Sequence, residues 1–311
     1  MDKEQKVMIS VIIPTHNSSQ HIEETIRSIL AQDFSDIEII VVDDGSTDDT
    51  RTLIERFGGQ VKYFYQQNQG SAFARNSGLD HAQGKYIFFM DADDLLAKEI
   101  LGLCIKSLEA NKSYKVVYGK RSSFIVGETI NTTKFDRTAL GSGNIFPLIV
   151  KGLTLTPGQF MIAREAIDEI GEFKGEMEAA EDWEFLLRLS CSYEFLFINR
   201  LFVYKRVHKT MKSFYKNRPD LYDLRCRLLK ETFPDRADEI IRTYITPLTI
   251  ADWHRSFGFS YGESGDRQME RRYLIKSLKV WPFQPKLWLW FILRWIPPEI
   301  KKQLKNTFIK G

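Results

Sequence analysis

The strongest constraint on this chain is a change of hydrophobic period that recurs through its first hundred residues. The runs "VMISVII" (7–13), "IEIIVV" (37–42), "VKYFY" (61–65) and "YIFFM" (86–90) are short and rich in β-branched or aromatic residues, the composition of strands buried in a parallel sheet. The segments between them have helical spacing. Ile22, Ile26, Ile29 and Leu30 fall at i, i+4, i+7 and i+8, with Asn17 and Gln20 ahead of them as a capping pair. Residues 47–57, capped by Ser46 or Thr47, and 71–82 read as the next two helices. Strand, helix and strand in this order imply right-handed crossovers and an open α/β sheet.

Ligands of such sheets bind beyond the carboxyl ends of the strands. That rule brings "PTHN" (14–17), "DDGSTDD" (43–49) and "DADD" (91–94) to one edge. Further along, strands are expected at 116–119, 195–198 and 202–207, with a helix over 183–189; beyond about residue 213 the pattern is helical.

The three carboxylates of "DADD" directly follow an apolar strand. Asp91 and Asp93, one residue apart on an extended chain, can face the same way, and a hard divalent cation relieves their repulsion. Asp94 is free to cap a following helix. Asp44, at the end of the second strand, can accept a hydrogen bond from the imide N–H of a base such as uracil. In "AAEDWEFLLRL" (179–189), Glu181 and Asp182 open a helix; both suit its dipole, and Asp182 at that rigid position can serve as general base for an incoming hydroxyl. His208, after the last strand, is either a surface histidine or a neutral imidazole ligand for the same metal.

Several enzyme classes are disfavoured. No G-x-G-x-x-G follows the first strand, which argues against a dinucleotide dehydrogenase. "GLDHAQGK" (78–85) is one residue too long for a phosphate loop and is followed by Tyr86 instead of Ser or Thr. Leu95 stands where an aspartyl-nucleophile phosphatase has Thr or Val, and "PTHNSS" is not the Gly- and basic-rich loop of a nucleotidyltransferase.

Joined in order, "SVIIPTHN", "SILAQDF", "EIIVVDDGSTDDT", "NQGSAFARNSGLDHAQGKYIFFMDADD", "IGEFKGEMEAAEDWEFLLRL" and "YKRVH" resemble a family 2 glycosyltransferase over roughly residues 7–210. The resemblance implies the GT-A fold: a Rossmann-like, mostly parallel α/β sheet flanked by helices, here with a helical C-terminal extension. It implies an inverting enzyme that moves a sugar from a nucleoside-diphosphate donor, a UDP-sugar being favoured, to a hydroxyl of a glycan or lipid-linked acceptor in cell-surface polysaccharide synthesis. By matching position, Pro14, Thr15 and Asn17 would border the nucleotide, Asp44 would meet the base, and Arg75 would lie near base or phosphate, with Asp91 and Ala92 completing the donor site. Asp91 and Asp93 match the metal-binding pair for Mn²⁺ or Mg²⁺, and His208 matches a late ligand histidine. Asp182 matches the catalytic base, and Glu181 is the next candidate. A catalytic domain over 1–212 is expected, with a nucleotide-sugar half to about 119 and an acceptor half from 120. A nucleotide-sugar-binding pseudo-enzyme is the alternative, against which the complete set of acids argues.

Charge bears on partners. The 44 basic and 41 acidic residues give a net +3, no general attraction for nucleic acid, yet residues 276–311 hold eight Lys or Arg against Glu299 alone, leaving 36 basic and 40 acidic residues elsewhere. That tail also holds four of the six tryptophans, the make-up of a helix lying in an anionic membrane interface; a lid or a dimer contact is the other reading. Its run "LWLWFILRWI" is broken by Arg294 and is about half the roughly 20 residues a spanning helix needs. Cys104, Cys191 and Cys226 are scattered and odd in number, which fits a reducing cytosol, and the N-terminus has no cleavage-site pattern. The expected location is therefore cytoplasmic, peripheral on the inner face of the cytoplasmic membrane.

Overall fold

A computed structural model describes residues 7–125, 141–177, 180–207, 221–263, 266–285 and 287–288. Two compact units divide the chain, Met1–Lys212 and Ser213–Gly311.

In the first unit the expected alternation is present. Strands β1 (Ile9–Thr15), β2 (Ile37–Asp44), β3 (Lys62–Gln66) and β4 (Tyr86–Phe89) are parallel neighbours in the order β3-β2-β1-β4. The crossovers contain α1 (Ile22–Leu30), α2 (Thr50–Glu55) and α3 (Ser71–His81). Period-2 alternation sorts the strand residues: Val11 and Ile13 join α1's Ile22, Ile26 and Ile29 in the main core, while Ile12 faces α3. Gly78 permits that close approach, since a Cβ there would lie 2.3 Å from Ile12 Cγ2.

Beyond β4 the sheet changes direction. β5 (Leu95–Leu96), α4 (Ile100–Ala110), β6 (Val116–Ile125), α5 (Phe146–Val150), β7 (Phe160–Ala163), α6 (Arg164–Ile170), α7 (Glu181–Ser192) and β8 (Phe195–Val207) follow. The full order is β3-β2-β1-β4-β7-β6-β8-β5, with β7 antiparallel to both β4 and β6 and with β6 parallel to β8. β7 enters through Gly158, where a φ of 85° and the 2.8 Å that would separate an added Cβ from Val203 Cγ2 exclude a side chain.

Several local expectations are corrected. The strands expected at 195–198 and 202–207 are one strand, because the whole segment pairs along β6 across a bulge near Lys120. The second helix is shorter than 47–57. Asn17 and Gln20 do not cap α1, whose N-cap is His21 without a side-chain cap; Asn17 adopts φ 51° and bonds another loop. Neither Ser46 nor Thr47 caps α2, whose N-cap is Asp49 without a side-chain cap; Asp48 Oδ1, one residue earlier, accepts the Thr50 N–H. Asp94 caps no helix: β5 follows it, and α4 starts only at Ile100.

The second unit contains α8 (Leu221–Thr232), α9 (Ala237–Tyr244), α10 (Pro247–Glu263) and α11 (Arg267–Val280), the last capped by Asp266 accepting the Met269 N–H. Leu274, Leu278 and Leu287 form its buried apolar cluster. No described helix is long and apolar enough to cross a membrane. Most of the basic aromatic tail lies outside the described residues.

Candidate active site

The carboxyl ends of β1, β2 and β4 open onto a cleft of about 780 Å³. Its β1–β2 wall is formed by two loops that bond each other. Asn17 donates its backbone N–H to Ser46 Oγ and accepts the Thr47 N–H, both at 2.8 Å. Asp48 accepts from Ser19 and Thr50; burial alone pushes its carboxyl up, but these hydrogen bonds outweigh it and hold the group at about 2. Asp44 has three donors, the Gln69 and Gly70 N–H groups and Gln66 Nε2, each at 2.8 Å. Its carboxylate thereby fixes the turn that leads into α3. His16 Nδ1 lies 2.8 Å from the Asp44 carbonyl, which can only accept, so Nδ1 is the donor. The Thr15 hydroxyl is buried at the cleft without a hydrogen-bond partner.

The opposite wall is crowded with charge. Asp91, Asp93 and Asp94 each bring a carboxylate oxygen within 4.8 Å of the others. Their loop is held by its backbone: the buried Thr25 hydroxyl lies 2.9 Å from the Ala92 carbonyl and 2.8 Å from that of Asp94, and Arg206 Nε donates to the Asp93 carbonyl at 2.7 Å. Asp94 is fully buried. Its Oδ1 accepts the Arg206 N–H at 2.8 Å, whereas its Oδ2 has no hydrogen bond. Burial first, then Asp91 and Asp93, pushes this carboxyl well above the usual range, with Lys205 and the Arg206 N–H opposing.

Arg75 joins this wall to α7. Its guanidinium reaches Glu181 at 3.1 Å and Asp91 at 3.4 Å and lies over the Phe173 ring at 5.4 Å. Glu181 also accepts from the Ser71 hydroxyl at 2.7 Å. Phe173 stacks on Phe185 and meets Phe89 edge-on, which fixes the start of α7 against the end of β4. Asp182, beside Glu181, accepts the Trp183 N–H at 2.7 Å. Burial is the main cause that pushes it up to about 6; Glu181 and Asp91 add to the rise, and Arg75 and the Trp183 N–H oppose it.

Pro14, Thr15, Asn17, Asp44, Arg75, Asp91, Ala92 and Asp93, all anticipated from sequence, line the cleft together. Glu181 and Asp182 are not among the lining residues: Glu181 is tied to them through Arg75, Asp182 stands next to it at the helix start, and His208 lies outside the described residues. His16 and Asp48, which the sequence placed at this edge without a role, also line the cleft, as do Ser71 and Lys205, which it did not single out. Lys205 had a readable signal: a cation inside the apolar strand "FVYKRV" needs an anion facing it. The acid cluster is an all-oxygen donor set with one buried oxygen lacking a hydrogen-bond partner, so it fits a hard cation such as Mn²⁺ or Mg²⁺ and not a soft one.

Residues 10–171 match the profile described as "Glycosyl transferase family 2". A relative from Campylobacter jejuni, "GalNAc(5)-diNAcBac-PP-undecaprenol beta-1,3-glucosyltransferase", is 41% identical over 116 residues, covering 36% of this chain and 37% of that one. The chain spans only 21–37% of the length of the first curated relatives it matches. Among solved structures, S. aureus TarS residues 1–349 with UDP-GlcNAc is similar with a TM-score of 0.61 and 19% identity, covering 86% of this chain and 90% of that one. The mannosyltransferase PcManGT of Pyrobaculum calidifontis, solved with GDP-Man and Mn²⁺, is similar with a TM-score of 0.55 and 19% identity, covering 91% and 78%. At these identities the two structures speak for the shared fold.

Proposed function

The chain belongs to glycosyl transferase family 2, and from that premise we propose that it is an inverting glycosyltransferase moving a sugar from a nucleoside-diphosphate donor to a hydroxyl of a glycan or lipid-linked acceptor. The observation that carries this reading is the juxtaposition, through Arg75, of the carboxylate cluster after β4 with the acids that open α7. The first is a place for a diphosphate and its cation; the second contains a base poised near neutrality.

Asp91, Asp93 and Asp94 would hold a divalent cation, Mn²⁺ or Mg²⁺. When bound, it supplies the positive charge that makes a nucleoside diphosphate a competent leaving group. The β1–β2 wall receives the nucleoside, and Asp44, already anchored by three donors, keeps one lone pair for a base N–H. Asp182 takes the proton of the acceptor hydroxyl as its oxygen attacks the anomeric carbon, and the bond to the diphosphate oxygen breaks on the far side. One such displacement inverts the stereochemistry. Glu181, tied to Arg75 and Ser71, orients the start of α7.

A UDP-sugar is the favoured donor, in keeping with the UDP-GlcNAc of the TarS structure, and a lipid-linked acceptor in polysaccharide synthesis is in keeping with the name of the C. jejuni relative. The cationic, tryptophan-rich tail is read as a peripheral anchor on an anionic cytoplasmic membrane face. Removing residues 281–311 is then expected to release the protein from anionic liposomes, and equal retention of the truncated protein in a flotation assay would remove the anchor from the account.

The functional test screens UDP-, GDP- and dTDP-sugars with Mn²⁺ for thermal stabilisation, then follows release of nucleoside diphosphate with and without added acceptors. Stabilisation by one nucleoside class and acceptor-stimulated release are expected. Binding without turnover on any acceptor would indicate a pseudo-enzyme, and release of inorganic pyrophosphate from a nucleoside triphosphate would indicate nucleotidyl transfer.

A further inference from the structure

Lys205 holds a place in the acid cluster that a divalent cation needs. Its side chain, on β8, is 21% exposed, and its ammonium lies 3.5 Å from Asp91 Oδ2 and 3.8 Å from Asp94 Oδ2. The second oxygen is the buried one without a hydrogen bond. At 3.8 Å the ammonium holds it by charge and not by hydrogen bonding.

Arg75 and Lys205 both face Asp91, yet they are held differently. Arg75 is fixed by Glu181 and by the Phe173 ring. Lys205 has a compact charge on a flexible four-carbon stem, and it lines the open cleft. A divalent ion among Asp91, Asp93 and Asp94 would sit a few ångström from that ammonium, where like charges in a partly buried site repel strongly. The ammonium can leave by rotating its stem toward the cleft, and there a diphosphate offers it a new anion.

We propose that Lys205 is an exchangeable counter-ion: it holds Asp91 and Asp94 while no cation is bound, yields to a divalent cation, and then pairs with the diphosphate of the donor. This rests on the reading of the acid cluster as the cation site. The exchange changes the net charge of the site little. Without ligands the three carboxylates face Arg75 and Lys205; with them, the diphosphate offsets the added cation and takes over the ammonium. The exchange makes cation and diphosphate binding mutually supportive, because each relieves a repulsion the other would meet.

The test uses the full chain and two probes, Mn²⁺ alone and UDP at saturating Mn²⁺, with Lys205→Met, which keeps the stem and removes the charge, and Lys205→Gln should the first variant fail to fold. Calorimetric titration at pH 8 is expected to show Mn²⁺ binding the variant about tenfold or more tightly than wild type, and UDP binding it about tenfold more weakly. Unchanged or weaker Mn²⁺ binding would overturn the exchange, and tighter Mn²⁺ with unchanged UDP would overturn the transfer of the ammonium to the diphosphate. A wild-type chain that binds no Mn²⁺ even with UDP would instead overturn the cation reading on which the proposal stands.

Discussion

The two walls of the cleft are both acidic, yet they differ in how far the protein itself satisfies them. On the β1–β2 wall, Asp44 accepts three N–H groups and Asp48 is held at about 2 by Ser19 and Thr50. On the β4–α7 wall, Asp94 has an oxygen without a hydrogen bond, its carboxyl and that of Asp182 are both raised, and three carboxylates share a 4.8 Å neighbourhood. Carboxylates whose partners are built in act as scaffold. Carboxylates crowded together, one of them with a buried oxygen that accepts no hydrogen bond, store unfavourable electrostatic energy that an incoming cation, diphosphate or proton can release.

The largest expected consequence is at Asp182. Asp182→Asn keeps the shape and the bond from the Trp183 N–H but removes the base, so transfer should fall by about 10³-fold while donor binding stays within about threefold. Transfer by the variant near the wild-type rate would move the base to Glu181. The same change should not weaken the fold. Asp182 has a native value near 6, above the 3.8 of an unperturbed Asp, so the native state binds its proton more tightly and loses stability as pH rises from about 4 through about 6. The Asn variant escapes that loss, and its melting temperature at pH 8 should equal or exceed that of wild type.

Asp44→Ala sharpens the contrast from the other wall. Three donors lose their acceptor, so stability should drop by about 2–3 kcal/mol in denaturant titration. An unchanged midpoint would mean that this wall is not the scaffold described. The smallest effect is in the pH profile. Because Asp182 must be deprotonated to act, kcat/KM should climb about tenfold per pH unit below about 6 and level off above it, and this acid limb should vanish in Asp182→Asn.

How much of this was legible in the sequence follows from the kind of interaction involved. The four parallel strands and the gathering of "PTHN", "DDGSTDD" and "DADD" at one edge are consequences of hydrophobic period and chain order, which are local. β7, only four residues long and reversed between β4 and β6, has no periodicity of its own to announce it. Asn17 looked like a helix cap because its type and spacing suit one, but the facing 46–47 loop offered its backbone N–H a hydroxyl acceptor and its side chain an N–H donor. Asp94 looked like a cap for the same reason, although β8 contributes the Arg206 N–H that holds it. Thr25, 67 residues before the carbonyl it contacts at Ala92, and Lys205, 114 residues after Asp91, act only across the fold. Of these, Lys205 alone left a trace, as a charge in an apolar strand.

The central claim is that the β4–α7 wall is completed by a cation and a diphosphate. Calorimetric titration of the nucleoside diphosphate selected by the donor screen, with Mn²⁺ and then with EDTA, tests it most directly. Binding is expected to be at least about 100-fold weaker in EDTA, restored by Mn²⁺ and lost in Asp93→Asn. Equal affinity in chelator and in Mn²⁺ would contradict it.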